Sequence, residues 1–508
     1  MTIAEQRLRG AGGLGRAEGL DGPPALGDFA PLVAGEPRGT GQAVAIESPF
    51  DGSPVAVVHR AGSGEIEAAI AAASEAFATT RKLASWRRAE ILEGVAAGIA
   101  AEKEDFARTI ALEGGKPIKT ARLEVDRAAF TFTVAAEEAK RIYGEIVPLD
   151  WIPGAESRIA HVRRVPLGPI AGITPFNFPL MLVAHKVAPA LAAGNPIIVR
   201  PASQTPISSL KLGRLLLEAG WPENAIAVVP SSTDDARPLV EDERIAMLTF
   251  TGSPAVGWSL RTRAGRKRVT LELGGNAPVI VHEDADWRYA AERVAWGGYV
   301  QSGQSCISVQ RVYVHSSLWD DFVADLVDRV RDLNAGDPLD EETDVGPLID
   351  GSALDRVETW VREAVAAGAQ VLVGGARDGT VWEPTVLADV EEDMKVACQE
   401  VFAPLVGLFR FDDVHDAIGA AGRSSFGLQA GLFTHDLNVV EAAFDALEVG
   451  GLMVNDVPTF RVDHMPYGGV KQSGFGREGL RYAIEEMTEL KLVTFNHGGG
   501  ATRPRRPA

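Results

Sequence analysis

The chain has 508 residues, 46% hydrophobic and 23% charged, with a formal net charge of −19; that length implies roughly two to four domains with ample core. The acidic balance argues against nucleic acid and anionic membrane as general partners, because both need a basic face. Two cysteines cannot form a disulfide framework or a zinc knuckle, so a reducing compartment, the cytoplasm, is expected and no metal site is.

The N-terminus shows no apolar signal core. Residues 1–35 are rich in Gly, Ala and Pro without periodicity and are expected to be a mobile tail. Gly10-Ala-Gly12-Gly-Leu-Gly15 fits the dinucleotide pattern G-x-G-x-x-G, and so does Gly474-Phe-Gly476-Arg-Glu-Gly479. Neither follows an apolar strand, so both read as chance. Helical spacing marks 63–77, 85–113 and 123–143; in the second, Ile91, Leu92, Val95, Ile99 and Phe106 recur at that period. Residues 145–150 and 157–165 read as extended. The stretch 165–184 has no charged side chain, but Pro166, Pro169, Pro175 and Pro179 would break a spanning helix.

From Pro169 short apolar runs alternate with helical patterns. Strands are expected at 170–174, 196–200, 225–229 and 245–251, and helices at 180–193, 206–219, 234–241 and 254–264. Such alternation means a parallel sheet covered on both faces, with ligands at the carboxyl ends of its strands. Asn177, Arg200 and Thr251-Gly252-Ser253 lie at those ends. A second α/β set follows. Its strands are read at 278–281, 311–314, 371–373, 431–434 and 452–455, and its helices at 286–300, 318–333, 354–367 and 439–447. A last strand at 490–495 is too isolated to stand alone and is expected to join another sheet.

Cys306 sits among Ser302, Gly303, Ser305 and Ser308. Small neighbours admit substrate and backbone, as a cysteine nucleophile requires; alone, the same residue also reads as a small buried hydrophobe. Glu272 stands at a strand end in Thr270-Leu-Glu-Leu-Gly-Gly-Asn276, and Asn177 in the proline-bracketed loop Thr174-Pro-Phe-Asn-Phe-Pro179. Further stretches are Phe250-Thr-Gly-Ser253 with Gly257, Glu400-Val-Phe402 with Pro404, and Met465-Pro-Tyr-Gly-Gly-Val-Lys471. In order and spacing these resemble the aldehyde dehydrogenase superfamily from about residue 40 to 496. The segment Asn455-Asp-Val-Pro-Thr-Phe-Arg-Val-Asp-His464 looks like its lactaldehyde and phosphonoacetaldehyde dehydrogenase branch.

The resemblance implies an α/β fold with a Rossmann-type cofactor domain (36–150 and 166–275) and an α/β catalytic domain (276–478). A small oligomerisation sheet (151–165 and 486–497) would make a homodimer or homotetramer. It implies oxidation of a short polar aldehyde to its acid with NADP or NAD. Cys306 would be the nucleophile, Asn177 an oxyanion donor, Glu272 the base that hydrolyses a thioester, and Lys186 a support. Members that acylate coenzyme A usually lack that glutamate, so an acylating or reductive enzyme is the lesser alternative; a retired scaffold is another. Thr174, Pro175, Phe176, Thr251, Gly252, Ser253 and Gly257 would face the cofactor, with Glu400 on the nicotinamide ribose and Phe402 beside it. Arg200 and Ser203 replace the lysine and glutamate of many NAD-preferring relatives, which favours acceptance of a 2′-phosphate. Arg461, His464, Arg127 and Phe178 are candidate substrate contacts. The alternative for the charged ones is a local ion pair with an acid such as Asp463 or Asp126. Ala403 and His185 also depart from the common pattern, and Cys398 is expected to fill space.

Overall fold

The computed structural model describes residues 24–498. Its apolar runs after Pro169 form the centre of an eight-stranded sheet. The order is Gly474–Phe475, Arg268–Glu272, Met247–Thr251, Ile170–Ile173, Ile197–Arg200, Ile226–Val228, Leu32–Val33 and Glu36–Pro37. The five strands from Arg268–Glu272 to Ile226–Val228 are parallel, and the rest are antiparallel edges. Ile170–Ile173 and Met247–Thr251 are buried at every position, which is why they read as unbroken apolar runs instead of alternating ones.

The helix Met181–Ala193 is buried all round, as its nearly uncharged sequence demands. Gly194, in the left-handed region, ends it. Its first turn is capped from outside: Glu124 Oε1 accepts from the N–H groups of Leu180 and Met181 at 3.0 and 3.1 Å. Glu113 does the same for Ile207 and Ser208 at the start of Ile207–Glu218. A buried carboxylate at a helix N-terminus satisfies donors that have no other partner. These caps fix the loops at the strand ends, where the candidate residues lie.

A seven-stranded sheet runs Gln370–Val373, Thr385–Ala388, Leu405–Phe411, Val309–His315, Ala277–Val281, Gln429–Phe433, Gly451–Val454. All its pairings are parallel except the first. The third sheet joins Glu145–Pro148, Arg158–Pro166 and Thr488–Asn496, all antiparallel, so the isolated last strand finds its partner. Leu490, Leu492, Val493 and Phe495 on it are exposed. No helix among the described residues is long and apolar enough to cross a membrane.

Several sequence expectations change. The Gly10–Gly15 pattern lies outside the described residues, as does the start of the expected tail. From Asp28 the chain is structured: Phe29, Leu32 and Val33 are buried, and Leu32–Val33 adds a strand to the large sheet. The helix expected over 85–113 is two, Ser85–Ala101 and Lys103–Gly114, because Glu102 leaves the helical region. Both bury apolar faces in one cluster with Leu92, Ile99, Phe106 and Ile110. The Gly474–Gly479 run is no nucleotide loop; Gly474–Phe475 is an edge strand on Arg268–Glu272.

Candidate active site

The helix Trp287–Tyr299 gives way to a short turn, Val300–Gly303, in which Gln301 (φ 59°) and Ser302 (φ 54°) are left-handed. Side chains with a Cβ hold that region only under constraint. The constraint is visible. Gln301 Nε2 donates to the Asn177 carbonyl at 2.9 Å, and Ser302 Oγ donates to Gly346 O at 3.1 Å. Asn177 Nδ2 in turn donates to Gln304 O at 2.8 Å. The Cys306 loop and the Asn177 loop are therefore bonded to each other from both sides. Gly275 completes the contact, since a Cβ there would collide with the Cys306 carbonyl. Gly274 leaves the same kind of room for the Glu400 carboxylate.

A cavity of about 320 Å³ opens between the sheets, and Asn177, Glu272, Cys306, Glu400, Arg461 and Tyr467 line it. The sequence-expected Arg127, Pro175, Phe176, Phe178, Thr251, Gly252, Ser253 and Phe402 line it too. Phe176 and Phe402 meet edge to face at 5.9 Å. Cys306 Sγ lies 3.0 Å from the Tyr467 hydroxyl. Burial pushes the thiol up to about 12; Tyr467 and Arg461 oppose the rise, and Glu400 and Glu272 add to it. The Cys306 N–H donates to no backbone carbonyl among the described residues. Among the described residues Asn177 Oδ1 is buried without a partner, so Gln304 alone of them sets the orientation of the amide, and one N–H stays free.

Glu272 is 4% exposed, and neither of its carboxylate oxygens has a hydrogen-bond partner among the described residues. Burial, then the charge of Glu478, raises it well above the ordinary carboxylate range. Glu400 Oε1 accepts from Gly275 N at 2.8 Å. Burial raises Glu400 to about 7 against the pull of that N–H and of Arg356.

Behind the cavity a buried charge network fixes these groups. Lys186 Nζ donates to Thr251 Oγ1 at 2.8 Å and to Glu478 Oε1 at 3.2 Å. Glu478 Oε2 accepts from Arg461 Nη2 at 3.2 Å. The Arg461 guanidinium lies 3.6 Å from the centroid of the Tyr467 ring. Arg127 forms a two-pronged pair with Asp463 at 2.7 and 3.2 Å, and His185 Nε2 bonds Asp463 at 3.0 Å. The arginines do form ion pairs, but not with their neighbours in sequence: Asp463 pairs with the distant Arg127, Glu478, which was not foreseen, pairs with Arg461, and Asp126 pairs with Lys103.

The structure does not bring every expected residue to the cavity. His464 is exposed, with its ring against Phe130. His185 is buried in the network and does not line the opening. Thr174, Arg200, Ser203 and Gly257 lie outside the lining. Gly257 has a packing role, because a Cβ would strike Leu273. Arg200 Nη2 donates to Ser231 O at 3.0 Å, while its Nε and Thr174 Oγ1 are buried without partners among the described residues. Sequence reasoning missed Tyr467 and Glu478. They pair with each other through backbone hydrogen bonds of 3.1 and 2.7 Å, a link no short motif displays.

Comparison with known proteins agrees with this geometry. Residues 37–493 match the aldehyde dehydrogenase family. A 3-sulfolactaldehyde dehydrogenase of Priestia aryabhattai is 45% identical over 465 residues, covering 91% of this chain and 97% of that protein. The crystal structure of aldehyde dehydrogenase 21 from Physcomitrella patens with the product succinate superposes with a TM-score of 0.91. It is 42% identical and covers 94% of this chain and 99% of that one. An NADP-complexed glyceraldehyde-3-phosphate dehydrogenase from Methanocaldococcus jannaschii gives 0.86 at 37% identity, covering 89% and 99%. With the match spanning nearly all of the described residues, the chain belongs to the aldehyde dehydrogenase family of oxidoreductases.

Proposed function

We propose that the protein oxidises a short aldehyde bearing a hydroxyl or anionic group to its carboxylic acid, with NAD(P)⁺. The observation that carries this reading is the convergence of Cys306, Asn177 and an unpartnered Glu272 on one cavity. Cys306 as thiolate attacks the carbonyl carbon; the C–S bond forms and the π pair moves to oxygen. The Asn177 amide and the Cys306 N–H hold that oxyanion. The acyl group then remains on Cys306 as a thioester. Glu272 takes a proton from the water that attacks it, and the C–S bond breaks with return of the thiol.

The residues at the strand ends suit a dinucleotide, because Thr174 Oγ1 and Arg200 Nε are buried donors without partners among the described residues. Thr174, Pro175, Phe176, Thr251, Gly252 and Ser253 would hold it, with Glu400 and Phe402 at the nicotinamide end. When bound, the nicotinamide accepts the hydride. Arg200 has Arg60, a like charge, as its charged neighbour, makes no ion pair among the described residues, and Ser203 is exposed and neutral. A 2′-phosphate would therefore be welcomed there.

The substrate class follows from two arginines. Each keeps guanidinium N–H groups that no group among the described residues accepts: Arg461 bonds Glu478 through Nη2 alone and its buried Nε has no partner, and Arg127 bonds Asp463 through Nε and Nη2 and leaves Nη1 free. An anionic or hydroxylated tail matches those donors. The names of the similar proteins, which speak of sulfolactaldehyde and succinate, support it. The exposed apolar side chains on Thr488–Asn496 support pairing of copies through the small sheet.

A panel of 3-sulfolactaldehyde, succinic semialdehyde, lactaldehyde and benzaldehyde, run with each nicotinamide cofactor, tests the reading. The polar aldehydes are expected to give the higher kcat/KM; preference for benzaldehyde, or strict dependence on coenzyme A, would sink it. Arg127→Ala is expected to raise KM for an anionic aldehyde about tenfold, with little change for a neutral one of similar size.

A further inference from the structure

The thiol of Cys306 has one hydrogen-bonding neighbour among the described side chains, the Tyr467 hydroxyl at 3.0 Å. In the resting enzyme either group can be the donor. Once the thiol has lost its proton only the phenol can donate, and sulfur only accepts. We propose that Tyr467 is a further catalytic residue, whose hydroxyl donates to the Cys306 sulfur and stabilises the attacking thiolate. This rests on Cys306 being the nucleophile.

Three observations carry it. Tyr467 is 3% exposed, and burial raises its phenol well above the usual range, so it keeps its proton while the sulfur gives one up. The charges facing the sulfur are unfavourable to a thiolate, except one. Glu272 and Glu400 oppose it, and Arg461 favours it. Arg461 acts partly through the ring, since its guanidinium lies 3.6 Å from the centroid. A cation on that face draws electron density from the phenol and makes the O–H a stronger donor. Arg461 is thus a positioning residue for this bond, itself anchored by Glu478. The apolar edge of Tyr467 packs with Ile307 and Leu428, contacts that phenylalanine keeps.

The step balances without a new reactant. The thiol proton passes to solvent, and Tyr467 retains its own. The hydrogen bond is strongest to the anion and weakens as the C–S bond forms. Its benefit is a larger thiolate population near neutral pH, partly offset by lower nucleophilicity per thiolate.

The test uses the full chain carrying Cys398→Ser, which leaves Cys306 as its single cysteine. The rate of iodoacetamide modification is followed against pH with Tyr467 and with Tyr467→Phe, alongside circular dichroism and the KM for cofactor. The Phe variant should be folded, with unchanged cofactor KM. Its modification inflection should move up by about one pH unit, and its rate near neutrality should fall about threefold. Site-specific 3-fluorotyrosine at 467, a stronger donor of the same shape, should move the inflection down. That opposite sign is a result a merely structural role would not give, and it stands even where the Phe variant folds poorly. Identical pH profiles with Tyr, Phe and fluorotyrosine would overturn the proposal. A different failure marks the underlying assignment: if modifying Cys306 left aldehyde oxidation intact, the nucleophile itself would be wrong, and Tyr467 with it.

Discussion

Glu272→Gln is expected to lower steady-state aldehyde oxidation about 10²–10⁴-fold while preserving a first-turnover burst. The carboxylate lines the Cys306 cavity, is buried, and has no hydrogen-bond partner on either oxygen among the described residues. A group so placed serves no structural bond, so its removal costs the fold little. Glutamine is nearly isosteric and cannot take a proton from water. Attack on the aldehyde and loss of hydride do not require this base, whereas thioester hydrolysis does. Acyl-enzyme should therefore accumulate, and the first turnover should appear as a burst of reduced-nicotinamide absorbance. The pH dependence has a definite sign. Burial and the Glu478 charge raise Glu272, so kcat should climb with pH through a value above the ordinary carboxylate range. In the Gln variant that limb should vanish. Linkage gives a second signature. The folded state holds the Glu272 proton more tightly than the unfolded chain, so this group costs stability as pH rises from the unfolded pKa through the folded one. The Gln variant should lose less Tm over that window. A variant that lost its burst in step with its steady-state rate would remove Glu272 from the hydrolytic step.

The parallel sheets were legible because their strands are buried on both faces: Ile170–Ile173 and Ala277–Val281 leave no alternation to confuse with a surface strand. The central strand Leu405–Phe411 was not read, although it too is almost wholly buried; Gly407 and the exposed Arg410 interrupt its apolar run. The hairpin Ala43–Glu47 and Pro54–His59 was also missed, despite Asp51-Gly52 between its arms, with Gly52 at φ 72°, a turn signal of the expected kind. In the candidate site, Cys306, Glu272 and Asn177 could be named because each lies in a short, recognisable stretch. What could not be read is the network behind them. Arg127 and Asp463 are 336 residues apart in sequence, and nothing local to either announces the pair. Glu478 was hidden more thoroughly. It sits inside a glycine pattern that reads as accidental, and its importance comes only from where Lys186, Arg461 and Tyr467 arrive in three dimensions.

Glu478→Gln is accordingly expected to cost about 3–5 kcal/mol of stability, as loss of one member of a buried ion network does, and to change the pH profile. Glu478 is 3% exposed and bonds Lys186 and Arg461, both at 3.2 Å. Burial alone would raise it, but Lys186, His185 and Arg461 hold it down to about 2, so at neutral pH it is a full negative charge between two buried cations. Glutamine cannot replace that charge. Its oxygen can accept from Lys186, but its amide would then face the Arg461 guanidinium, donor against donor. Two buried cations would be left undercompensated, and a thermal melt should show a lower Tm. The backbone pairing of residues 467 and 478 should survive, because the side chain takes no part in it. The second effect falls on Glu272. The Glu478 charge pushes the Glu272 pKa up, and Lys186 and Arg461 pull it down. Removing the first while freeing the other two acts in one direction, so the acid limb of kcat should move to lower pH. A variant as stable as the parent would mean that the three charges are less dry than their burial implies. An unmoved limb would mean that Glu272 does not sense them.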